Sequence, residues 1–322
     1  MGILHKFNQI LDRTFAFLIP VGLIVGMMLG GRITFLSVIV PFMFGLVTFI
    51  GSLNMDFKAF KKTITTPIPI GLTMLVLRVI VPIGALVIGH LVFPNHAYAR
   101  VGLLLFATIP TGINSAVWVM IHKGKIALTL SVILLDTLIS PFVLPFSIAL
   151  LAGATTSVDT VGMMISLLQM IVIPSILGMA VNQLSKGEVP KKWNPRLSPI
   201  AKLGLVLVVM INGATVAPYF TTFDRHLLLT IATVFTLASF GYTTAWLLAK
   251  LAKMNQETTI AIVFSGGLRN VSTGAVIAIA YFPIEAALPV VAGLLFQQIF
   301  AAIVGGMMKR YFATGKSQMA DR

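Results

Sequence analysis

The chain has no cysteine at all. Disulfides, thiolate metal sites and thiol nucleophiles are therefore excluded. Charge is scarce: only 10% of the 322 residues are Asp, Glu, Lys or Arg, against roughly 25% in soluble domains. Acidic residues are fewest, 9 against 23 Lys and Arg. No His, Asp and Glu cluster has metal-ligand spacing, and no G-x-S-x-G elbow appears. Gly266-Gly267 is not followed by the Lys of a phosphate-binding loop, so nothing points to nucleotide-driven work.

What remains is apolar. Hydrophobic residues make up 57% of the chain and mean hydropathy is +0.99. A water-soluble core cannot hide that much apolar surface, so the composition predicts an all-α integral membrane protein. A helical span needs about 20 apolar residues. Ten spans are predicted, at about 12–31, 33–53, 67–94, 99–121, 125–151, 158–184, 199–218, 226–250, 256–281 and 284–309. The first reads as a retained span rather than a signal peptide, because separate charged, apolar and cleavage regions are missing. The connections are short, and a single membrane domain, 1–322, is expected.

The net charge of +14 is distributed by topology. With the N-terminus inside, eighteen Lys and Arg fall on the cytoplasmic side, among them Lys58, Lys61, Lys62, Lys186, Lys202 and Arg322; only Arg32, Arg100 and Arg225 fall opposite. This is a positive-inside signal. It places both termini in the cytoplasm of a cell-membrane protein and leaves no role for nucleic acid. The lipid bilayer is the one expected macroscopic partner, and no obligatory protein partner is indicated.

Two stretches interrupt this apolar pattern. Ile109-Pro110-Thr111-Gly112-Ile113-Asn114-Ser115 lies in span four and Ser265-Gly266-Gly267-Leu268-Arg269-Asn270-Val271-Ser272-Thr273-Gly274 in span nine. Each mixes Gly, Pro and small polar residues. At bilayer depth a broken helix survives only where protein or a wet cavity satisfies its backbone. One such break in each half marks a secondary transporter built from inverted repeats. Repeat one is expected at about 12–151 and repeat two at about 158–309, five helices each, with a polar linker at about 185–198. Gly22, Gly26 and Gly30 share one face of span one and permit close helix packing.

Three charges lie well inside spans: Arg78, Asp136 and Arg269. Each costs at least about 2.5–3.5 kcal/mol there and must face a bundle interior or water. Asp136 could pair with one arginine, but one carboxylate cannot neutralise two guanidiniums. The surplus positive charge favours an anion, and a guanidinium fork suits carboxylate or sulfate. After each break the next half-helix begins with free N–H groups. Asn114, Ser115, Asn270, Ser272 and Thr273 sit where caps or carboxylate ligands belong. Thr129, Ser131, Thr137, Ser140, Gln297 and Gln298 are weaker candidates, able to bond their own helix or a neighbour.

The runs Ile109 to Val117, Lys123 to Thr129, Asp136 to Pro141 and Gly266 to Gly274 resemble the bile acid:sodium symporter family. The resemblance implies secondary transport of organic anions such as bile acids, sulfated steroids or small carboxylates, usually sodium-driven. It implies a core domain with crossed helices four and nine, interleaved with a panel domain. It places Thr111, Asn114, Ser115, Arg269, Asn270, Ser272 and Thr273 near substrate, and Arg78, Ser115, Thr129, Asp136, Ser265 and Arg269 at the ion or coupling site. The departures fall in that second set. A sodium-binding glutamate of the family is Ser265 here, a glutamine is Arg269, an asparagine is Ala116 and a polar ligand of span five is Ile133. An arginine there would repel a sodium ion, and the resemblance implies that it stands in the ion's place. Sodium stays open as a coupling ion, its ligand residues being altered, and no cofactor is expected. Proton coupling, uniport and exchange stay open as alternatives to symport. An intramembrane enzyme or a sensor would need a nucleophile, a metal set or an output domain.

Overall fold

The computed structural model describes residues 2–55, 67–151, 159–220 and 224–320; Lys58, Lys61, Lys62 and Arg322 lie outside the described residues. Every regular element among them is helical. We number the α-helices α1 (Gly2–Leu29), α2 (Val40–Ser52), α3 (Pro67–Leu75), α4 (Val81–Val92), α5 (Ala97–Thr108), α6 (Asn114–Ile121) and α7 (Ile126–Leu151). They continue as α8 (Thr160–Leu167), α9 (Ile173–Leu184), α10 (Glu188–Phe220), α11 (Arg225–Leu251), α12 (Gln256–Gly267), α13 (Val271–Tyr281) and α14 (Ile284–Ala320). Among the described residues, seven helical segments are long and apolar enough to cross a membrane by length and composition, and Phe17–Arg32, Ala97–Thr108 and Val271–Tyr281 are shorter apolar helices. This is a multi-pass membrane architecture.

Two helices carry a π turn just before a proline. Val76–Ile80 links α3 to α4 ahead of Pro82, and Leu168–Val172 links α8 to α9 ahead of Pro174. Proline has no N–H and its ring crowds the preceding turn. Widening that turn accommodates both effects, and π turns gather at functional sites. Arg78 lies in the first of them.

The expected linker at 185–198 is mostly helix. Only a turn at Ser185 to Gly187 separates α9 from α10, which runs on through Pro195 and Pro199. Lys186 and Gly187 supply the positive φ values, 50° and 86°, that reverse the chain. Charge and proline suggested a linker, but neither forbids a helix when α1 packs along it.

The glycine face of α1 divides. Gly26 presses on the Met210 backbone of α10: a Cβ there would stand 1.9 Å from the Met210 carbonyl oxygen. Gly22 meets Val206. Gly30 packs on nothing and instead ends α1 at a φ of 51°. We expect Gly26→Ala to lower stability by about 1–3 kcal/mol, since backbone cannot yield. The exposed Gly31, with nothing within 4 Å, provides the control: Gly31→Ala should leave the melting temperature in detergent unchanged.

Candidate functional site

The chain breaks between α5 and α6 and between α12 and α13, and the two breaks meet. Thr111 and Arg269 pair as an isolated antiparallel bridge. The Asn270 N–H donates to the Pro110 carbonyl at 2.8 Å. The Thr111 hydroxyl shares its hydrogen between the carbonyls of Ser265, 2.8 Å, and Leu268, 2.9 Å, at the end of α12. Gly112 lets the strands approach, since a Cβ there would lie 3.1 Å from the Arg269 carbonyl oxygen. Each break thus satisfies the other's backbone in the absence of water. Thr111, anticipated as a substrate residue, spends its hydroxyl on this joint.

Arg78 and Asp136 complete the joint from the side. The π turn brings Arg78 to α7, where its guanidinium lies 2.6 Å from the Asp136 carboxylate. Nε donates to Oδ1 at 2.7 Å, and Nη2 donates to the Ser140 hydroxyl and the Asp136 carbonyl at 2.7 and 3.0 Å. Nη1 donates to the Thr108 carbonyl at 2.7 Å, placing a cation at the C-terminal end of α5. The other carboxylate oxygen, Oδ2, accepts the Thr111 N–H at 2.7 Å. One ion pair therefore holds both sides of the first break. Arg78 and Asp136, anticipated as ion or coupling residues, are joined to each other.

Arg269 is left over. It is 3% exposed, and neither Nη1 nor Nη2 has a hydrogen-bond partner among the described residues. The hydroxyls of Thr129, Ser265 and Thr273 are buried and unpartnered as well. The Ser115 hydroxyl donates to the Gly112 carbonyl at 2.7 Å. The cap expected from Asn114 and Ser115 is absent: Ile113 precedes α6 and no side chain caps it. Asn270 does cap α13, accepting the Thr273 N–H at 3.4 Å. Ser265, expected within the break, belongs to the last turn of α12.

A cavity of about 370 Å³ adjoins the crossover. Of the anticipated residues, Thr111, Asn114, Arg269, Asn270 and Ser272 line it, and Arg78, Ser115, Thr129, Asp136, Ser265 and Thr273 are not among its lining residues. The facing wall went unforeseen. It brings Thr48, Ser52 and Asn54 from α2 and beyond, Ser175 from α9, and Asn194, Ser198 and Lys202 from α10. Thr137, Gln297 and Gln298, weak candidates in the sequence, line it too. Asn194 donates to Asn54 at 2.8 Å across its exposed end. At the far end of the bundle Tyr281 donates to the Gly162 carbonyl at 2.8 Å and bonds the Ser166 hydroxyl, holding α13 against α8.

Hard cations want several oxygen ligands, usually with a carboxylate. The carboxylate at the crossover, Asp136, is taken up by Arg78 and Thr111. No group of three or more His, Asp or Glu that could hold a metal occurs among the described residues.

Two interrupted helices that cross beside a cavity define a membrane transporter's architecture. The family model of the sodium bile acid symporter family matches residues 41–222. YbaS, an uncharacterized protein of Bacillus subtilis, is 42% identical over 91% of this chain and 96% of its own length. YocS of the same organism, described as an uncharacterized sodium-dependent transporter, is 27% identical over 97% of this chain and 95% of its own. A probable chloroplastic sodium/metabolite cotransporter of rice, BASS1, is 23% identical over 74% of this chain and 58% of its own length. The chain belongs to the sodium bile acid symporter family, a family of transporters.

Proposed function

We propose that this protein is a secondary transporter of a small organic anion, a carboxylate or sulfate, working by alternating access in the cell membrane. It has ten spans in two inverted five-helix repeats and both termini in the cytoplasm. The observation that carries the reading is the cavity beside the crossover: the ionisable residues lining it, Arg269 and Lys202, are both cationic. Clefts lined by one sign of charge concentrate the opposite ion. The N-terminal ends of the α6 and α13 helix dipoles add partial positive charge.

The coupling differs from that of sodium-dependent relatives. The buried guanidinium of Arg269 stands where the resemblance implies a sodium ion, so the crossover carries its own permanent cation. Asn54, Asn194 and Lys202 at the cavity's rim support an opening toward the lysine-rich side, which the charge distribution of the sequence assigns to the cytoplasm.

Thermal stabilisation of the purified protein by a panel of small carboxylates and sulfated steroids, in sodium and in potassium, tests this. The stabilising anion should work equally in both salts and fail in Arg269→Ala. Stabilisation that requires sodium would restore ordinary symport and refute the substitution by Arg269. A panel without effect in either salt would refute the anion reading.

A further inference from the structure

Six carboxamides line the cavity: Asn54, Asn114, Asn194, Asn270, Gln297 and Gln298. A free amide is ambiguous to a ligand, since one end donates and the other accepts. Two of the six lose that ambiguity. The indole N–H of Trp118 in α6 donates to Oε1 of Gln298 in α14 at 3.0 Å. An indole N–H only donates, so the oxygen of Gln298 must face it. The Thr273 N–H fixes Asn270 in the same way, by taking up its Oδ1. Neither –NH2 group has a further partner among the described residues, and neither is one of the buried unpartnered atoms. Both amides therefore meet the cavity with donors alone. The indole itself is held by Phe264 of α12, on which it stacks at 6.0 Å with the planes 13° apart. Asn54 and Asn194 bond each other and leave one end of each kind free. Asn114 and Gln297 have no side-chain bond among the described residues and can turn either end inward.

We infer that Gln298 is a specificity-determining residue for the carboxylate or sulfate group, and that Trp118 is the positioning residue that turns its donors to the cavity. This rests on the reading that the cavity takes an organic anion, with Arg269 supplying the attracting charge. Charge draws in any anion, whereas donors fixed in one direction test the shape of the group that arrives. Every oxygen of a carboxylate or sulfate accepts. A primary carboxamide of the same shape brings an –NH2 of its own, and against a fixed donor that group goes unpaired.

Benzoate and benzamide, or the carboxylate that stabilises best and its own primary amide, test this on the full chain in detergent. Each is read as the concentration that gives half of its maximal thermal stabilisation. The wild type should prefer the carboxylate. Trp118→Phe frees the Gln298 oxygen to turn inward, so the preference should fall about tenfold, the worth of one hydrogen bond. The fall should come from tighter binding of the amide as well as weaker binding of the acid. Gln298→Leu should lower the preference by a similar factor, and adding Trp118→Phe to it should lower it no further, because the two residues act as one unit. A purely structural Trp118 would lower the melting temperature and leave the preference unchanged, which overturns the assignment. So does a preference that drops in Trp118→Phe and holds in Gln298→Leu. A wild type that no carboxylate or sulfate stabilises refutes the anion reading itself. One that binds benzoate and keeps its preference in both variants refutes only the part given to Gln298 and Trp118.

Discussion

Asp136→Asn will destabilise this protein more than Gly26→Ala does. The carboxylate is fully buried and accepts from Arg78 and from the Thr111 N–H. Asparagine keeps the shape but removes the charge. Arg78, whose side chain is 9% exposed, is then a buried cation without a counter-ion. Breaking a buried pair by removing one partner costs about 3–5 kcal/mol. The apparent melting temperature in detergent should fall by roughly 6–15 °C at about 2–3 °C per kcal/mol. The double variant Arg78→Gln with Asp136→Asn should recover part of that loss, because no lone charge remains. A single variant within about 2 °C of the wild type, less than 1 kcal/mol on the same scale, would mean that the pair does not hold the break together.

The second large effect is a gain. Ser265→Glu combined with Arg269→Gln should make anion binding depend on sodium, by about tenfold or more in affinity between sodium and potassium buffers. The fixed cation leaves, a carboxylate arrives at the last turn of α12, and the new glutamine contributes a carbonyl oxygen. The unpartnered Thr129 hydroxyl and the Ser115 hydroxyl are buried as well. Together these give a hard cation an oxygen-rich site. The single variants separate the causes. Ser265→Glu alone adds an acid beside an arginine and should bind equally in both salts. Arg269→Gln alone removes the cation without a replacement and should bind poorly in both. Equal binding by the double variant in sodium and potassium would sink the idea that Arg269 does the work of an ion.

The parts of the site that break an apolar pattern could be read in the sequence. Pro110, Gly112 and Gly266-Gly267 stand out inside long apolar runs, and so do Arg78, Asp136 and Arg269, because hydrocarbon makes each costly. Which arginine Asp136 would take was not legible. That depends on the π turn before Pro82, which rotates Arg78 toward α7; the proline marks a disturbed turn in the sequence but does not say which way it turns Arg78. The second cavity wall was equally hidden. Ser52, Asn54 and Asn194 carry no signal at helical positions, and Lys202 reads as one more charge of the topology. Thr111 shows a second duty that its place in the break did not announce: it lines the cavity and its hydroxyl also holds the joint.

Tyr281 also has a kinetic meaning. Any motion that parts α13 from α8 at their shared end must break its bonds to Gly162 and Ser166. Two such bonds are worth about 1 kcal/mol each. Together they would slow separation roughly thirtyfold. That is too little to lock the two helices together and enough to make their parting depend on a single phenol.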